Sequence, residues 1–204
     1  MPESIENKII NKIKKARRGS LYFTDSFIDF GSSKAVNKAL ERLVEKQKII
    51  RVATGIYTRP KTSKLLGVIY PTTEEIAKAI AKRDKARIIP TGAYALNALG
   101  LSTQVPLKVV YLTDGVNRQI NLGQRTILLK KASPKNLAAI GEISSMAIQA
   151  LKSIGKDKAK DWEIQKIIDL LKKEQPSKLQ HDIRLAPEWI RKIMRKALGN
   201  YGSK

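Results

Sequence analysis

The sequence contains no cysteine and only one histidine among its 204 residues. The absence of cysteine excludes disulfides, thiolate metal sites and cysteine nucleophiles, and it is consistent with a reducing cytoplasm. The N-terminus lacks a cationic lead followed by an apolar core, and no apolar run approaches the roughly 18 residues needed to span a bilayer. We therefore expect a soluble, cytoplasmic protein with no membrane partner.

Acidic residues are scarce as well. The chain has 18 Asp and Glu against 40 Lys and Arg, which gives a formal net charge of +22. So large an imbalance makes a polyanion the leading class of partner. The basic excess extends over the whole length, and residues 1–61 already carry 14 basic against 6 acidic side chains.

Residues 24–59 predict a winged helix-turn-helix. A short apolar helix, a turn at Gly31-Ser32, a second helix over about 33–47 and a hairpin at Gly55 follow one another in the order of that module. The module is complete by residue 61, so we predict a DNA-binding domain over 1–61. A second domain over 64–204 is the natural complement for a chain of this length.

The second helix has two faces. Val36, Leu40 and Leu43 recur at helical spacing and predict a buried stripe. On the opposite side lie Lys34, Asn37, Lys38 and Glu41, at the N-terminal end from which recognition helices reach base edges. The alternative is a solvated helix surface in an interaction module that binds no DNA.

Further candidate contacts flank this helix. The β-prone runs 49–52 and 56–59 surround a glycine turn and predict a wing. An amphipathic first helix over about 5–18 carries cations in its last turn. The predicted DNA-binding residues are Arg17, Arg18, Ser32, Ser33, Lys34, Asn37, Lys38, Arg51, Thr54, Arg59 and Lys61.

The remaining sequence predicts a helix-rich α+β domain with a small, mostly antiparallel sheet. Thr72 and Glu75 form a capping-box signature, and Asp114-Gly115 is a dipeptide typical of hairpin turns. Ser133-Pro134 predicts the start of a long helix, and further helices are expected over 161–174 and from 187. The last helix displays Arg191, Lys192, Arg195 and Lys196, which indicates either a basic contact face or a solubilising one.

No catalytic constellation stands out, and we predict neither an enzyme, a cofactor nor a metal site. His181 lacks a serine elbow or second histidine, so a solvated or capping role is favoured over a catalytic one. Asp114 is better explained by a turn than by acid catalysis. The glycines are too far apart for a phosphate-binding loop. An enzymatic rival, a nuclease with a winged-helix reader, lacks a clustered set of acids for a metal.

Three segments resemble the AbiEi-type antitoxins and related winged-helix regulators of toxin-antitoxin systems. They are the wing at 51–57, the alanine- and leucine-rich stretch 92–101, and 104–113 with its Gln-Val-Pro start. The resemblance extends over most of the chain and is weakest from about residue 177 onward.

This resemblance implies an N-terminal winged helix that represses its own promoter at repeated operator sites. It also implies a C-terminal domain that counteracts a nucleotidyltransferase-like toxin, often without a tight complex. The alternative is a plain operator-binding transcriptional regulator whose second domain senses a ligand or dimerises.

Overall fold

Helices alternate with short strands along the chain, and the computed structural model describes residues 3–199. Helix accounts for 49% and strand for 19%, which confirms the mixed α+β class with small sheets. The α-helices are α1 (Ile5–Lys15), α2 (Ser33–Glu45), α3 (Thr73–Arg83), α4 (Ala93–Ala98), α5 (Glu142–Ile154), α6 (Asp161–Leu171), α7 (Pro176–Leu185) and α8 (Glu188–Arg195). The strands are β1 (Leu21–Phe23), β2 (Ile50–Ala53), β3 (Ile56–Thr58), β4 (Lys61–Ser63), β5 (Gly67–Ile69), β6 (Ile88–Thr91), β7 (Lys108–Thr113), β8 (Arg118–Leu122) and β9 (Arg125–Lys131). Short 3₁₀ helices cover Thr24–Phe30, Pro134–Leu137 and Lys196–Leu198.

The chain divides into two compact units. The first holds the residues up to Ile80 together with Ile120–Leu122, and the second holds Ala81–Gln119 and the residues from Gly123 onward. The division falls inside α3, whereas the sequence placed a domain boundary at residues 61–64. That boundary remains a prediction.

The first unit contains a core between α1, α2 and the face of a three-stranded sheet. Ile9, Phe27 and Leu40 are fully buried in this core. The strands are antiparallel in the order β1-β3-β2. Thr54-Gly55 joins β2 to β3, and Gly55 has the positive φ of 72° that the hairpin predicted. Because a left-handed backbone is cheap only for glycine, this turn depends on residue 55.

A second hairpin, β4–β5, follows directly and was not predicted. Lys61 pairs with Ile69 and Ser63 with Gly67 in an antiparallel register. The intervening Leu65 and Leu66 are 94% and 78% exposed. The Thr72–Glu75 capping box at the start of α3 is confirmed, because the Thr72 hydroxyl accepts from the Glu75 amide at 3.1 Å and the Glu75 carboxylate accepts from the Thr72 amide at 2.8 Å.

The second unit contains a helical core together with strands β6, β7 and β9 of a four-stranded mixed sheet. The sheet order is β6-β7-β9-β8, with β6 and β7 antiparallel and β7 and β9 parallel. Leu151, Ile167 and Ile190 are fully buried where α5, α6 and α8 pack together. The buried faces of these helices therefore form a core.

Several local predictions were wrong. No single long helix starts at Ser133-Pro134: a 3₁₀ turn ends at Leu137 and α5 begins only at Glu142. Asp114-Gly115 does not close a hairpin between neighbours, because β7 pairs with β9 rather than β8. Asp114 instead accepts hydrogen bonds from the amide and Nε of Arg87, at 2.7 and 2.9 Å. That side-chain hydrogen bond lowers the pKa of Asp114.

Candidate nucleic-acid interface

The N-terminal half of α2 presents an exposed polar face. Val36, Leu40 and Leu43 are buried against the core, so the residues between them at helical spacing face outward. Lys34, Asn37 and Lys38 are exposed. Within the described residues these three side chains make no hydrogen bond or ion pair, and their donors are free for a ligand.

Ser32 shapes the start of this helix. Its hydroxyl accepts a hydrogen bond from the Ala35 amide at 3.3 Å, as an N-cap serine does. Ser32 therefore has a structural role, whereas Ser33 is exposed in the first turn. The N-terminal end of α2 also carries the positive pole of the helix dipole, which favours an approaching phosphate.

Arg51 lies on the same side of the sheet as α2. It is the register partner of Tyr57, whose ring is buried in the core beside α2. Burial raises the pKa of Tyr57, while the charge of Arg51 lowers it and that of Glu41 raises it again. Arg51 and Glu41 therefore both approach the Tyr57 hydroxyl. Arg51 is exposed and extends the polar face of α2 across to strand β2.

Two cations at the C-terminal end of α2 share one carboxylate of α1. Glu6 accepts from Lys46 Nζ at 2.7 Å and from Arg42 Nη1 at 3.3 Å. The hydrogen bond from Lys46, with that from Arg42, lowers the pKa of Glu6. Because these two cations already have a partner, the unpaired positive charge of α2 is concentrated at its N-terminal end.

The other predicted contacts separate along the sheet. Thr54 is exposed at the β2–β3 turn, where the Thr24 amide donates to Gly55 O at 3.1 Å. Arg59 lies beyond the opposite end of β3, about 10 Å away at the rise of a strand. The Gly19 amide donates to Arg59 O at 2.9 Å.

Four of the predicted cations gather at that far end. Arg17 and Arg18 are exposed and follow α1 rather than lying in its last turn, since α1 ends at Lys15. The Lys61 side chain crosses Gly19, where an added Cβ would come within 2.4 Å of Lys61 Cε. Arg59 Nε is buried without a partner near Tyr22, whose pKa is raised by burial and lowered by Arg59.

Two features of this unit were missed by sequence reasoning. Lys12 Nζ donates to Ser26 O at 2.5 Å and lies 5.3 Å from the Phe30 ring centroid, which ties α1 to the 3₁₀ helix. Ile28, on that 3₁₀ helix, is 61% exposed. The sequence shows that Ile28 is an apolar residue within a polar segment. That its side chain points into solvent follows only from the geometry of the 3₁₀ helix.

Residues considered for catalysis have structural contacts. His181 Nδ1 lies 2.8 Å from the buried Asp182 carboxylate, which also accepts from the Ser144 hydroxyl. Asp182 thus lies between His181 and Ser144, unlike a hydrolytic triad, where histidine is central. Among the described residues no group of three His, Cys, Asp or Glu could hold a metal ion. No helix within 3–199 is long and apolar enough to cross a membrane.

The chain is an α+β protein with an exposed cationic helix face in its first unit. It belongs to a family of unknown function, DUF6088, whose model matches residues 8–179. A comparison with solved structures matches the chain to the crystal structure of the RV2827C protein from Mycobacterium tuberculosis, with 10% identity and a TM-score of 0.45. That similarity covers 98% of this chain and 82% of the other. No curated protein matches the chain.

Proposed function

We propose that the first unit is a winged helix-turn-helix that binds double-stranded DNA, with α2 as its recognition helix. The order α1, β1, 3₁₀ helix, α2 and the β2–β3 hairpin, with β1 paired to β3, is consistent with that module. In this proposal the 3₁₀ helix and α2 form the helix-turn-helix, and the Thr54-Gly55 turn is a short wing.

The observation that carries the proposal is the exposed and unengaged trio of Lys34, Asn37 and Lys38. An amide side chain can pair with the N6 and N7 edge of adenine in the major groove, and lysines can contact guanine or phosphate. The cations of α2 that face α1 are bound to Glu6. The free charge therefore lies where a recognition helix would enter the groove.

Arg51 and Thr54 are the proposed contacts of the wing, because both are exposed on or beside the β2–β3 hairpin. Arg17 and Arg18 are exposed at the far end of the sheet and would reach a more distant phosphate. We assign Arg59 and Lys61 smaller roles, since the Arg59 Nε is buried and Lys61 lies over Gly19.

For the whole chain we propose a transcriptional autorepressor that acts as the antitoxin of a toxin-antitoxin pair. This role rests on the resemblance to AbiEi-type antitoxins and on the basic first unit. The expected partners are its own promoter DNA and a nucleotidyltransferase-like toxin encoded next to it. A second candidate is a plain operator-binding regulator with a ligand-sensing second unit, which a cationic cavity in that unit favours.

The test of DNA binding uses the full-length chain and its own promoter fragment. The double variant Lys34→Ala with Lys38→Ala removes two unpaired cations from the exposed face. It should weaken binding to the promoter fragment at least about 10-fold and abolish repression of a reporter. Lys46 is unsuitable as a control because it binds Glu6. Lys48→Ala with Lys64→Ala, on two exposed lysines outside α2, removes the same charge as the matched control and should change little. Equal effects of both variants would contradict the proposed face.

The antitoxin role is tested by co-expression with the product of the neighbouring reading frame. The full-length chain should restore growth, and the Lys34→Ala, Lys38→Ala variant should protect equally at matched protein levels. Failure of the unmodified, folded chain to protect would favour the plain regulator.

A further inference from the structure

The second unit contains a cavity of about 520 Å³ that neither DNA reading nor the resemblance explains. It lies between the 3₁₀ turn at Pro134–Leu137, the middle of α5, β6 and the junction of α7 with α8. Its apolar wall includes Ile89, Ile148 and Pro187. Cavities of this size hold small organic ligands rather than macromolecules.

The polar lining of the cavity is strongly cationic. Lys135, Lys152, Arg184 and Arg191 all contribute to it, whereas Glu188 is the one acidic residue in its lining. The Glu188 carboxylate is already engaged, at 3.0 Å from Arg191 Nη1 and 3.8 Å from Arg195 Nη1. Lys135, Lys152 and Arg184 have no ion-pair partner within the described residues.

Lys135 and Lys152 line the same cavity and act on each other electrostatically. Partial burial lowers the pKa of Lys152, and the charge of Lys135 lowers it further. Two ammonium groups placed so repel each other until an anion lies between them. An anionic ligand would relieve that repulsion.

Buried donors add polar specificity to the charge. Gln149 is 6% exposed, and its Oε1 accepts from the Thr91 hydroxyl at 3.3 Å, which leaves the amide NH₂ group for a ligand. The Arg191 guanidinium also lies in the lining, where Nη2 donates to Ala186 O at 3.2 Å and Nη1 pairs with Glu188 at 3.0 Å.

We propose that this cavity binds a small organic phosphate, with the phosphate held by Lys135, Lys152 and the arginines and the uncharged part against the apolar wall. Phosphate supplies two charges and several acceptors, which match a site lined by several cations and the amide of Gln149. The inference does not depend on DNA binding by the first unit.

The test is a thermal-shift and calorimetric titration of the full-length chain with inorganic phosphate, pyrophosphate, adenosine monophosphate and glucose 6-phosphate. At least one organic phosphate should raise the melting temperature and bind more tightly than inorganic phosphate, because it also covers the apolar wall. Adenosine and glucose, which lack the phosphate, should not bind. Protection by none of the four phosphates would overturn the proposal.

The matched variants remove equal charge inside and outside the cavity. Lys135→Gln with Lys152→Gln should weaken binding at least about 10-fold, since hydrogen bonds to charged groups are among the stronger ones. Lys156→Gln with Lys173→Gln changes two exposed lysines of the same unit outside the cavity and should leave binding unchanged. Lys152→Arg keeps the positive charge and should retain most of the binding of the organic phosphate.

The other outcomes of these titrations either support or contradict the phosphate site. Equal losses in both double variants would indicate a general effect of net charge and contradict the site. Displacement of the bound phosphate by a short DNA duplex would show that the cavity cations belong to a nucleic-acid surface. An inner double variant that keeps its unliganded melting temperature and loses ligand protection supports the proposal.

Discussion

Asn37 is the residue on which sequence reading should depend most. Its amide is exposed and unengaged between two lysines on the outer face of α2. Asn37→Ala should cost about 1–3 kcal/mol on the preferred site and little on random DNA, because only a base contact distinguishes the two. Fluorescence anisotropy with both duplexes measures this difference. Arg51→Ala should weaken both alike, as a phosphate contact does, and equal losses for Asn37→Ala would place the reading face elsewhere.

Glu6 gives the first unit a defined response to acid. Its folded-state pKa is lowered below the usual 4.5 by the hydrogen bonds from Lys46 and Arg42. The folded state therefore binds the Glu6 proton more weakly than the unfolded chain, and the stabilisation is present above pH 4.5 and lost as pH falls through the lower folded value. The melting temperature of the wild type should exceed that of Glu6→Gln at pH 7, and the gap should close toward pH 3. If the difference in melting temperature between the wild type and Glu6→Gln did not change with pH, packing rather than charge would explain it.

Among the elements, α5 depends on residues distant in sequence. Asp182 on α7 is fully buried and accepts from the amides of Ile140 and Gly141 at 2.9 and 2.8 Å. Glu174 accepts from the Ile143 amide at 2.8 Å. These carboxylates satisfy amides that every helix start leaves unpaired, and they complement the helix dipole.

Asp182→Asn should therefore lower the free energy of unfolding by about 1–3 kcal/mol, because one acceptor oxygen becomes a donor facing N–H groups. Urea denaturation followed by circular dichroism measures the change. Asp157→Asn is the matched control, since Asp157 is exposed with a positive φ of 61° that asparagine also tolerates. A loss of the same size in the control would assign the effect to net charge.

The sequence predicted the elements that carry a local signal. A few neighbouring residues are enough to specify each of three features: the apolar stripe of α2, the turn at Gly55 and the Thr72–Glu75 capping box. β1 and β4–β5 were missed because three-residue strands are too short for a period to be visible, whereas the equally short β3 was found through the Gly55 turn beside it. The start of α5 was misplaced because its cap comes from Asp182 and Glu174, whose approach only the fold creates.

The candidate site was also predicted only where the sequence carries a local signal. The outward face of α2 follows from helical spacing, so Lys34, Asn37 and Lys38 were found together. The sequence did not show that Arg42 and Lys46 are bound to Glu6. The predicted strand over 56–59 already separates Arg59 from Thr54, but the approach of Lys61 to Gly19 appears only in the fold.

At the scale of the whole molecule, the net charge of +22 should dominate affinity for DNA. Binding to the promoter fragment should fall steeply with salt, with a log-log slope of about −0.9 for each phosphate neutralised. Titrations over a range of salt concentrations give the slope, and Arg51→Ala should reduce it by about one phosphate contact. An affinity that hardly changes with salt would contradict DNA binding. A slope that Arg51→Ala leaves unchanged would contradict only the phosphate contact proposed for Arg51.

The β4–β5 hairpin makes the chain vulnerable to a protease at one defined place. Leu65 and Leu66 stand almost fully in solvent at its tip, and exposed loop tips are preferred sites of nicking. Each strand offers only three paired residues, too few for an isolated two-stranded ribbon to hold cut ends together. Limited digestion with a leucine-selective enzyme should give an early cut beside residue 65 or 66, visible by mass spectrometry as two complementary pieces.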